Sequence, residues 1–288
     1  MRPTRRREAS VVSVIALVVL AVPAWLASAG EPLEGRDPAK EAKKWKAAAE
    51  KAPGDADNWY NLGLAYTMLQ QWKDAEPALR KAVELNPQGA AAHAMLGSAL
   101  SHLGKGPEAI NELETALSLD PSRTELQGNL GEAYFDAGQY DKAIETYKAA
   151  LKAKPANPGP YYSQIGYAFV KKGETTEAIK WFERSTEAAP NDPNTFYNLG
   201  QIYHKLAGDG AAEFWAKAAE AFVKAAQLDA KDARAQFFAG EALIMAGKNS
   251  DGLSYLEKYL AADPDGKKGG LDMHQAALDY RSELKKQK

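Results

Sequence analysis

The sequence contains no cysteine. This absence excludes disulfides, thiolate metal sites and cysteine nucleophiles, and it also excludes a lipid-modified cysteine. Histidine is scarce as well, with four residues in 288, and these show neither an H-E-x-x-H arrangement nor another metal-ligand spacing. We therefore expect no metal site and no cofactor.

The sequence also lacks an excess of basic residues, since its formal net charge is -2. Residues 1–29 hold four Arg and one Glu, which leaves 32 basic and 37 acidic residues in the rest of the chain. A basic surface of the kind that binds nucleic acid is therefore not predicted. Phosphate-binding loops, nucleophile elbows and dinucleotide-binding glycine motifs are missing too. The sequence thus predicts a protein that is not an enzyme.

One apolar run, at residues 11–22, follows a basic head that ends at Arg7. Pro23 and then the small residues 27–29 come after it. This layout is typical of a secretory signal peptide that is cleaved after Ala29. The alternative is an uncleaved inner-membrane anchor over 11–29, which is just long enough to span a bilayer. Both readings place the repeats across the membrane, because the Arg cluster stays on the cytoplasmic side. A cleaved chain would be exported as a periplasmic or secreted protein, and an uncleaved one would be anchored in the inner membrane by its N-terminus.

The rest of the chain is dominated by a repeated pattern. A Leu-Gly pair at 62–63 is followed at fixed distances by an aromatic residue, by Ala75 and Leu79, and by Pro87. A similar order returns five times at a period of 34 residues, with one extra residue before the fourth copy and about six extra residues within the fifth. Apolar residues at helical spacing predict two helices per copy, and a glycine inside the first helix lets the second approach closely. The marker glycines are Gly63, Gly97, Gly131, Gly166, Gly200 and Gly240.

This pattern resembles the tetratricopeptide repeat, a helix-turn-helix of 34 residues with W-x2-L-G-x2-Y, A-x3-F and a proline. The resemblance covers residues 56–264. It implies an all-α fold, namely a right-handed α-solenoid of six helix-turn-helix units with terminal capping helices. The predicted units are 56–89, 90–123, 124–157, 159–192, 193–232 and 233–266. A signal peptide or anchor (1–29) and a linker with an N-terminal capping helix (30–55) precede this array, and a C-terminal capping helix (267–288) follows it.

The first helices of such units line a concave surface. The residue two positions before the marker glycine is an amide in four units, as Asn61, Asn129, Gln164 and Asn198. An amide side chain both donates and accepts hydrogen bonds, so it can pair with the backbone of an extended peptide. In several members of the family an asparagine ladder binds peptide main chain, and the resemblance implies this role for the three asparagines. The alternative is that these amides bond within the array itself.

Large side chains beside these amides are predicted to anchor a bound peptide. They are Tyr60, Leu64, Tyr167, Tyr197 and Phe237. The fifth unit carries about six additional residues before its second helix, and we expect that helix to start early and to project Phe214 and Trp215 as a secondary interaction site. The Lys and Asn pattern of the family's carboxylate clamp for acidic C-termini is not present in three consecutive units.

Taken together, these features predict an exported, non-enzymatic scaffold that binds an extended peptide or partner protein in its concave groove. Contact with a membrane is expected only through residues 11–29, if they are not cleaved. Two alternatives stay open at this point. One is a structural envelope protein that assembles into oligomers, and the other is a membrane-anchored chaperone or assembly factor for envelope protein complexes.

Overall fold

The computed structural model describes residues 37–267 and 270–286, and within them the fold is all-α. The predicted signal peptide or anchor over 1–29 lies outside the described residues. Fourteen helices follow one another in the described ranges: α1 Pro38–Lys51, α2 Ala56–Met68, α3 Trp72–Leu85, α4 Ala90–His102, α5 Gly106–Leu119, α6 Leu126–Asp136, α7 Tyr140–Lys152, α8 Gly159–Lys172, α9 Thr175–Ala188, α10 Pro193–Gly208, α11 Phe214–Leu228, α12 Ala233–Met245, α13 Asn249–Ala262 and α14 Leu271–Lys286.

Aspartates begin four of these helices. The Asp37 side chain accepts a hydrogen bond from the backbone N–H of Ala39 at 3.0 Å, at the start of α1. Asp55, Asp192 and Asp232 cap α2, α10 and α12 in the same way. A side-chain acceptor at this position satisfies a backbone donor that has no partner inside the helix.

Prolines follow the ends of five second helices, as the repeat pattern predicts. Pro87 stands two residues after α3, and Pro155 stands three residues after α7. The residue before a proline is pushed out of the helical region, so the chain turns there toward the next unit. The remaining examples are Pro121, Pro190 and Pro264.

The two helices of each unit approach most closely at the marker glycine, which confirms the prediction made from its position. A Cβ added to Gly63 would lie 2.5 Å from Cγ of Leu79, closer than real Cβ contacts allow. The other five glycines face one large side chain of the second helix in the same manner. Their partners are Leu113, Tyr147, Phe182, Phe222 and Leu256.

The hydrophobic core follows the stack of units as a series of clusters. Its largest cluster extends from Ile110 in α5 to Leu243 in α12. A second cluster joins the first two units, and a third joins the last unit to α14. This is the packing of a tetratricopeptide repeat solenoid, in which each unit buries its faces against its neighbours.

None of the helices in the two described ranges combines the length and the apolar character that a membrane span requires.

Candidate protein-binding face

The first helices of successive units lie next to one another on one side of the stack. Contacts join α2 to α4, α4 to α6, α8 to α10, and α12 to the capping helix α14. The residues predicted from the sequence as binding residues lie on these helices.

Two of the predicted asparagines make hydrogen bonds within the array. The Asn61 side chain is partly buried, and its Nδ2 donates to the backbone carbonyl of Asp57, one turn earlier in α2, at 2.8 Å. Asn129 Nδ2 donates to Oγ of Ser98 on the neighbouring helix α4, at 3.2 Å. Each amide keeps a second N–H and a carbonyl oxygen, so these bonds use only part of its capacity.

The other two amides make no side-chain hydrogen bond within the described residues. Gln164 on α8 and Asn198 on α10 are both partly buried. Their donors and acceptors are therefore directed to solvent or to a ligand. Four amides thus recur on first helices, two of them tied to the array and two of them free.

Three of the predicted anchors lie inside the hydrophobic clusters. Tyr60 is 8% exposed and Leu64 is 4% exposed, and both pack with residues of α3 and α4. Phe237 is 3% exposed and belongs to the cluster that joins the last unit to α14. These side chains stabilise the stack and leave little area for a ligand.

Two of the predicted anchors keep part of their surface. The Tyr167 ring packs edge-on against Phe182, with ring centroids 5.0 Å apart, and burial raises the pKa of the Tyr167 hydroxyl. Tyr197 packs in a similar way against Phe222 at 5.5 Å, and its hydroxyl accepts a hydrogen bond from Gln201 at 2.8 Å. Both tyrosines are held in place and present one edge beside the free amides.

The insertion in the fifth unit has a different outcome from the one expected. Helix α11 begins at Phe214, but the rings of Phe214 and Trp215 are partly buried and do not project. Phe214 stacks on Tyr203 with centroids 5.7 Å apart, and Trp215 meets His204 edge-on at 5.0 Å. The additional residues lengthen α10 to Gly208, and this longer helix supplies the surface on which both rings pack.

An acidic pair on the same face was not identified as a site from the sequence. Glu132 and Asp136 are one turn apart on α6, both are exposed, and neither has an ion-pair partner among the described residues. Desolvation raises the pKa of each carboxyl, and for Glu132 the nearby Asp136 adds to the effect. A spacing of four residues on a first helix is the sequence signal that would have identified the pair.

A polar network joins the last two first helices, α10 and α12, to the capping helix α14. His204 Nε2 on α10 lies 3.0 Å from Oε2 of Glu241 on α12. The hydroxyl of Tyr280 on α14 donates to the other oxygen of Glu241 at 3.2 Å. This network fixes the capping helix against the array.

The described residues hold no group of three or more His, Asp or Glu side chains that could bind a metal ion. The arrangement on this face is one of amides, tyrosine edges and unpaired charges. Groups of these kinds form hydrogen bonds and charged contacts in the polar parts of protein interfaces.

Comparison with solved structures places the fold among repeat proteins. Pseudomonas aeruginosa pilF matches with a TM-score of 0.57 at 19% identity, over 81% of this chain and 97% of that one. The type IV pilus biogenesis factor PilW matches with a TM-score of 0.59 at 19% identity, over 74% and 96%. YrrB, described as a TPR protein with an unusual peptide-binding site, matches with a TM-score of 0.52 at 24% identity, over 71% and 98%. At these identities the likeness shows the fold.

A search of proteins with curated functions finds no match. Family models do match, and together they cover most of the repeat array. A tetratricopeptide repeat model matches residues 94–158 and 209–267. A TPR repeat model matches 166–206, and another tetratricopeptide repeat model matches 56–88. The repeat pattern, the helix pairs and these matches agree, and the chain belongs to the tetratricopeptide repeat family.

Proposed function

We propose that this protein is an exported, non-enzymatic scaffold whose first-helix face binds an extended segment of a partner protein. Repeats of this family mediate protein interactions, and the fold has the architecture of such a scaffold. The observation that carries the proposal is the recurrence of an amide on four first helices, two of which have free hydrogen-bonding groups. Amides at regular intervals match the regular donors and acceptors of an extended backbone.

The proposal is supported by the proteins that share the fold. One of them is described by its peptide-binding site, and another as a factor in pilus biogenesis. Both descriptions fit a scaffold that holds another protein chain, and the second fits a role in assembly at the cell envelope. The proposed export depends on residues 1–29, with their basic head, apolar run and small-residue site.

Binding is tested with a phage-displayed library of random peptides about twelve residues long, which at roughly 3.3 Å per residue span several units. The library is selected on the purified protein 30–288, and the affinity of enriched peptides is measured by fluorescence anisotropy. The combined substitution Asn61→Ala, Asn129→Ala and Asn198→Ala should weaken binding roughly tenfold or more, because each lost hydrogen bond contributes about 0.5 to 1.5 kcal/mol.

The matched control replaces three exposed asparagines that lie outside the first helices. It carries Asn111→Ala, Asn191→Ala and Asn249→Ala, and it should bind as the unmodified protein does. Circular dichroism shows whether both variants keep their helices. Equal affinity for the unmodified protein and the first-helix variant would contradict the proposed role of the amides.

Export is tested by mapping the amino terminus of the protein isolated from its own cells. A mature chain that begins at Gly30 supports the signal peptide. A chain that keeps residues 1–29 and fractionates with the membrane supports the anchored assembly factor instead.

A further inference from the structure

The acidic pair Glu132 and Asp136 lies at a place where three helices of two neighbouring units meet. Both residues are on α6, while Tyr147 comes from α7 and Tyr161 from α8. The two tyrosine rings are neighbours, with centroids 6.4 Å apart. Gly128 leaves room for the Tyr161 ring on α6, because a Cβ at that glycine would lie 3.2 Å from the ring.

The hydroxyl of Tyr147 is the unusual group in this cluster. The side chain is 2% exposed, and its hydroxyl has no hydrogen-bond partner among the described residues. The ring packs on Gly131, the residue before Glu132, where an added Cβ would lie 3.0 Å from Cζ, the carbon that bears the hydroxyl. Burial raises the pKa of this hydroxyl, and the charges of Glu132, Asp136 and Tyr161 raise it further. A buried hydroxyl without a partner is costly to leave in place, so a ligand that satisfies it would bind favourably.

The same cluster carries two negative charges with no compensating base. Neither Glu132 nor Asp136 forms an ion pair within 37–267 or 270–286. The two carboxylates and the Tyr147 hydroxyl oxygen provide three acceptor groups, and an ammonium group has three N–H donors. The ring of Tyr161 adds an aromatic face of the kind that attracts cations.

We propose that Glu132, Asp136 and Tyr147 form a subsite for a basic side chain, Lys or Arg, of the bound partner segment. This inference rests on the proposed function, because it assigns one position within the same binding face. It names the chemistry of the partner at that position, which the recurring amides alone do not.

The next two units carry the opposite charge at the position of Asp136. Lys171 on α8 and Lys205 on α10 are the corresponding residues, both exposed and without ion pairs in the described part of the chain. Neighbouring helices lie about 8 to 10 Å apart, and an extended segment advances roughly 3.3 Å per residue. A partner segment should therefore carry a basic residue and, about three and six residues away on one side, acidic residues.

The random peptide library described above tests this subsite. Peptides enriched on the unmodified protein should contain Lys or Arg at one aligned position. The variant Glu132→Gln with Asp136→Asn should lose this preference and bind the enriched basic peptides about tenfold more weakly. Tyr147→Phe removes only the hydroxyl, and it should weaken basic peptides several-fold while leaving their norleucine-substituted counterparts unchanged.

The outcomes separate this inference from the proposed function. The proposed subsite is wrong if the enriched peptides show no basic position, or if Glu132→Gln with Asp136→Asn leaves their affinity unchanged. In either case the proposed scaffold function is still supported, because peptides bind. If no peptide is enriched, both are overturned. If the neutral variants fold poorly, the charge-reversed variant Glu132→Lys with Asp136→Lys tests the same subsite. Peptides selected on it should carry an acidic residue at the same position.

Discussion

The contact between Gly131 and Tyr147 shows how one residue controls the packing of a unit. A Cβ at Gly131 would lie 2.6 Å from Cε1 and 2.7 Å from Cδ1 of the Tyr147 ring. The ring is buried and its other sides are packed, so it has little room to move. Glycine is therefore required at position 131 because the Tyr147 ring leaves no room for a Cβ, and not because of the backbone conformation.

We predict that Gly131→Ala lowers the free energy of unfolding by about 1 to 2 kcal/mol, because overpacking outweighs the gain in helix propensity. The control is Gly208→Ala at the end of α10, where an added Cβ meets nothing within 4 Å. That variant should be neutral or slightly more stable. Urea unfolding measures both, and a loss of similar size in the two variants would contradict the packing explanation.

The turn between the two helices of the first unit holds a residue other than glycine in the left-handed region. Gly104 and Gly247 occupy this turn in other units with φ of +72° and +81°, whereas Gln70 occupies it here with φ of +57°. A side chain in the left-handed region costs roughly 1 kcal/mol. Gln70→Gly should therefore stabilise the protein by about 0.5 to 1 kcal/mol.

The control for this turn is Lys73→Gly, which places a glycine inside α3 at an exposed site. It should destabilise the protein by about 1 kcal/mol. Thermal unfolding followed by circular dichroism compares the two variants. A lower melting temperature for Gln70→Gly would show that the turn tolerates glutamine without strain.

These residues also show what the sequence could predict. The close approach at Gly63 was predictable, because a glycine inside an apolar helical pattern indicates a near neighbour and the period places Leu79 opposite it. The role of Tyr60 and Leu64 was not. Their spacing of four residues puts them on one helix face, but the pattern does not say whether that face meets solvent or the next unit. The structure shows that it meets α4.

At the scale of helices, an ion-pair network links the second helices of the first two units. Glu76 on α3 accepts hydrogen bonds from Lys105, at 2.7 and 2.8 Å, and pairs with Arg80 at 2.9 Å. Arg80 in turn pairs with Glu108 on α5. The hydrogen bond from Lys105 is the main reason that the pKa of Glu76 is lowered, and Arg80 also contributes.

A lowered pKa in the folded state means that Glu76 stabilises the protein above its unfolded pKa, and that this stabilisation is lost as pH falls through the folded pKa. Glu76→Gln should therefore reduce stability near pH 7 by less than about 1 kcal/mol, since Arg80 and Lys105 are well exposed and screened. The difference from the unmodified protein should be smaller at about pH 3, because the Glu76 carboxylate loses charge as pH falls below the ordinary glutamate pKa.

Urea unfolding at the two pH values checks this prediction. The control is Glu84→Gln on the same helix, because Glu84 is 68% exposed and, among the residues that the structure describes, pairs only with Lys81 in α3. It should change stability little at either pH. A pH-independent loss in Glu76→Gln would assign the effect to packing instead of charge.

The fifth unit shows the limit of sequence reasoning at this scale. The insertion was visible as extra residues before Ala218, and an early start of the second helix was expected from it. The path of the insertion could not be predicted from the sequence. It forms either a projecting segment or a longer α10, depending on whether α10 can bury the rings of Phe214 and Trp215. Tyr203 and His204 supply that surface.

At the scale of the whole molecule, the packing of the two ends of the array determines whether the protein is monomeric. Solenoid units need a neighbour on each side, and an uncovered end unit favours association. Here α1 packs on α2 at one end, and α14 packs on α12 and α13 at the other. Among the described residues only Met245 and Leu271 are large apolar side chains with substantial exposure, at 48% and 74%.

Two separate side chains cannot supply the roughly 1,200 Å² that a stable protein interface buries. We therefore predict that the protein 30–288 is a monomer at micromolar concentration, with the mass of one chain in sedimentation velocity at every concentration tested. This result would favour the scaffold over the self-assembling envelope protein. A mass that increases with concentration would favour self-assembly, and Leu271→Ser would then show whether the uncovered end of α14 is the contact, since only an association through that residue should be weakened by it.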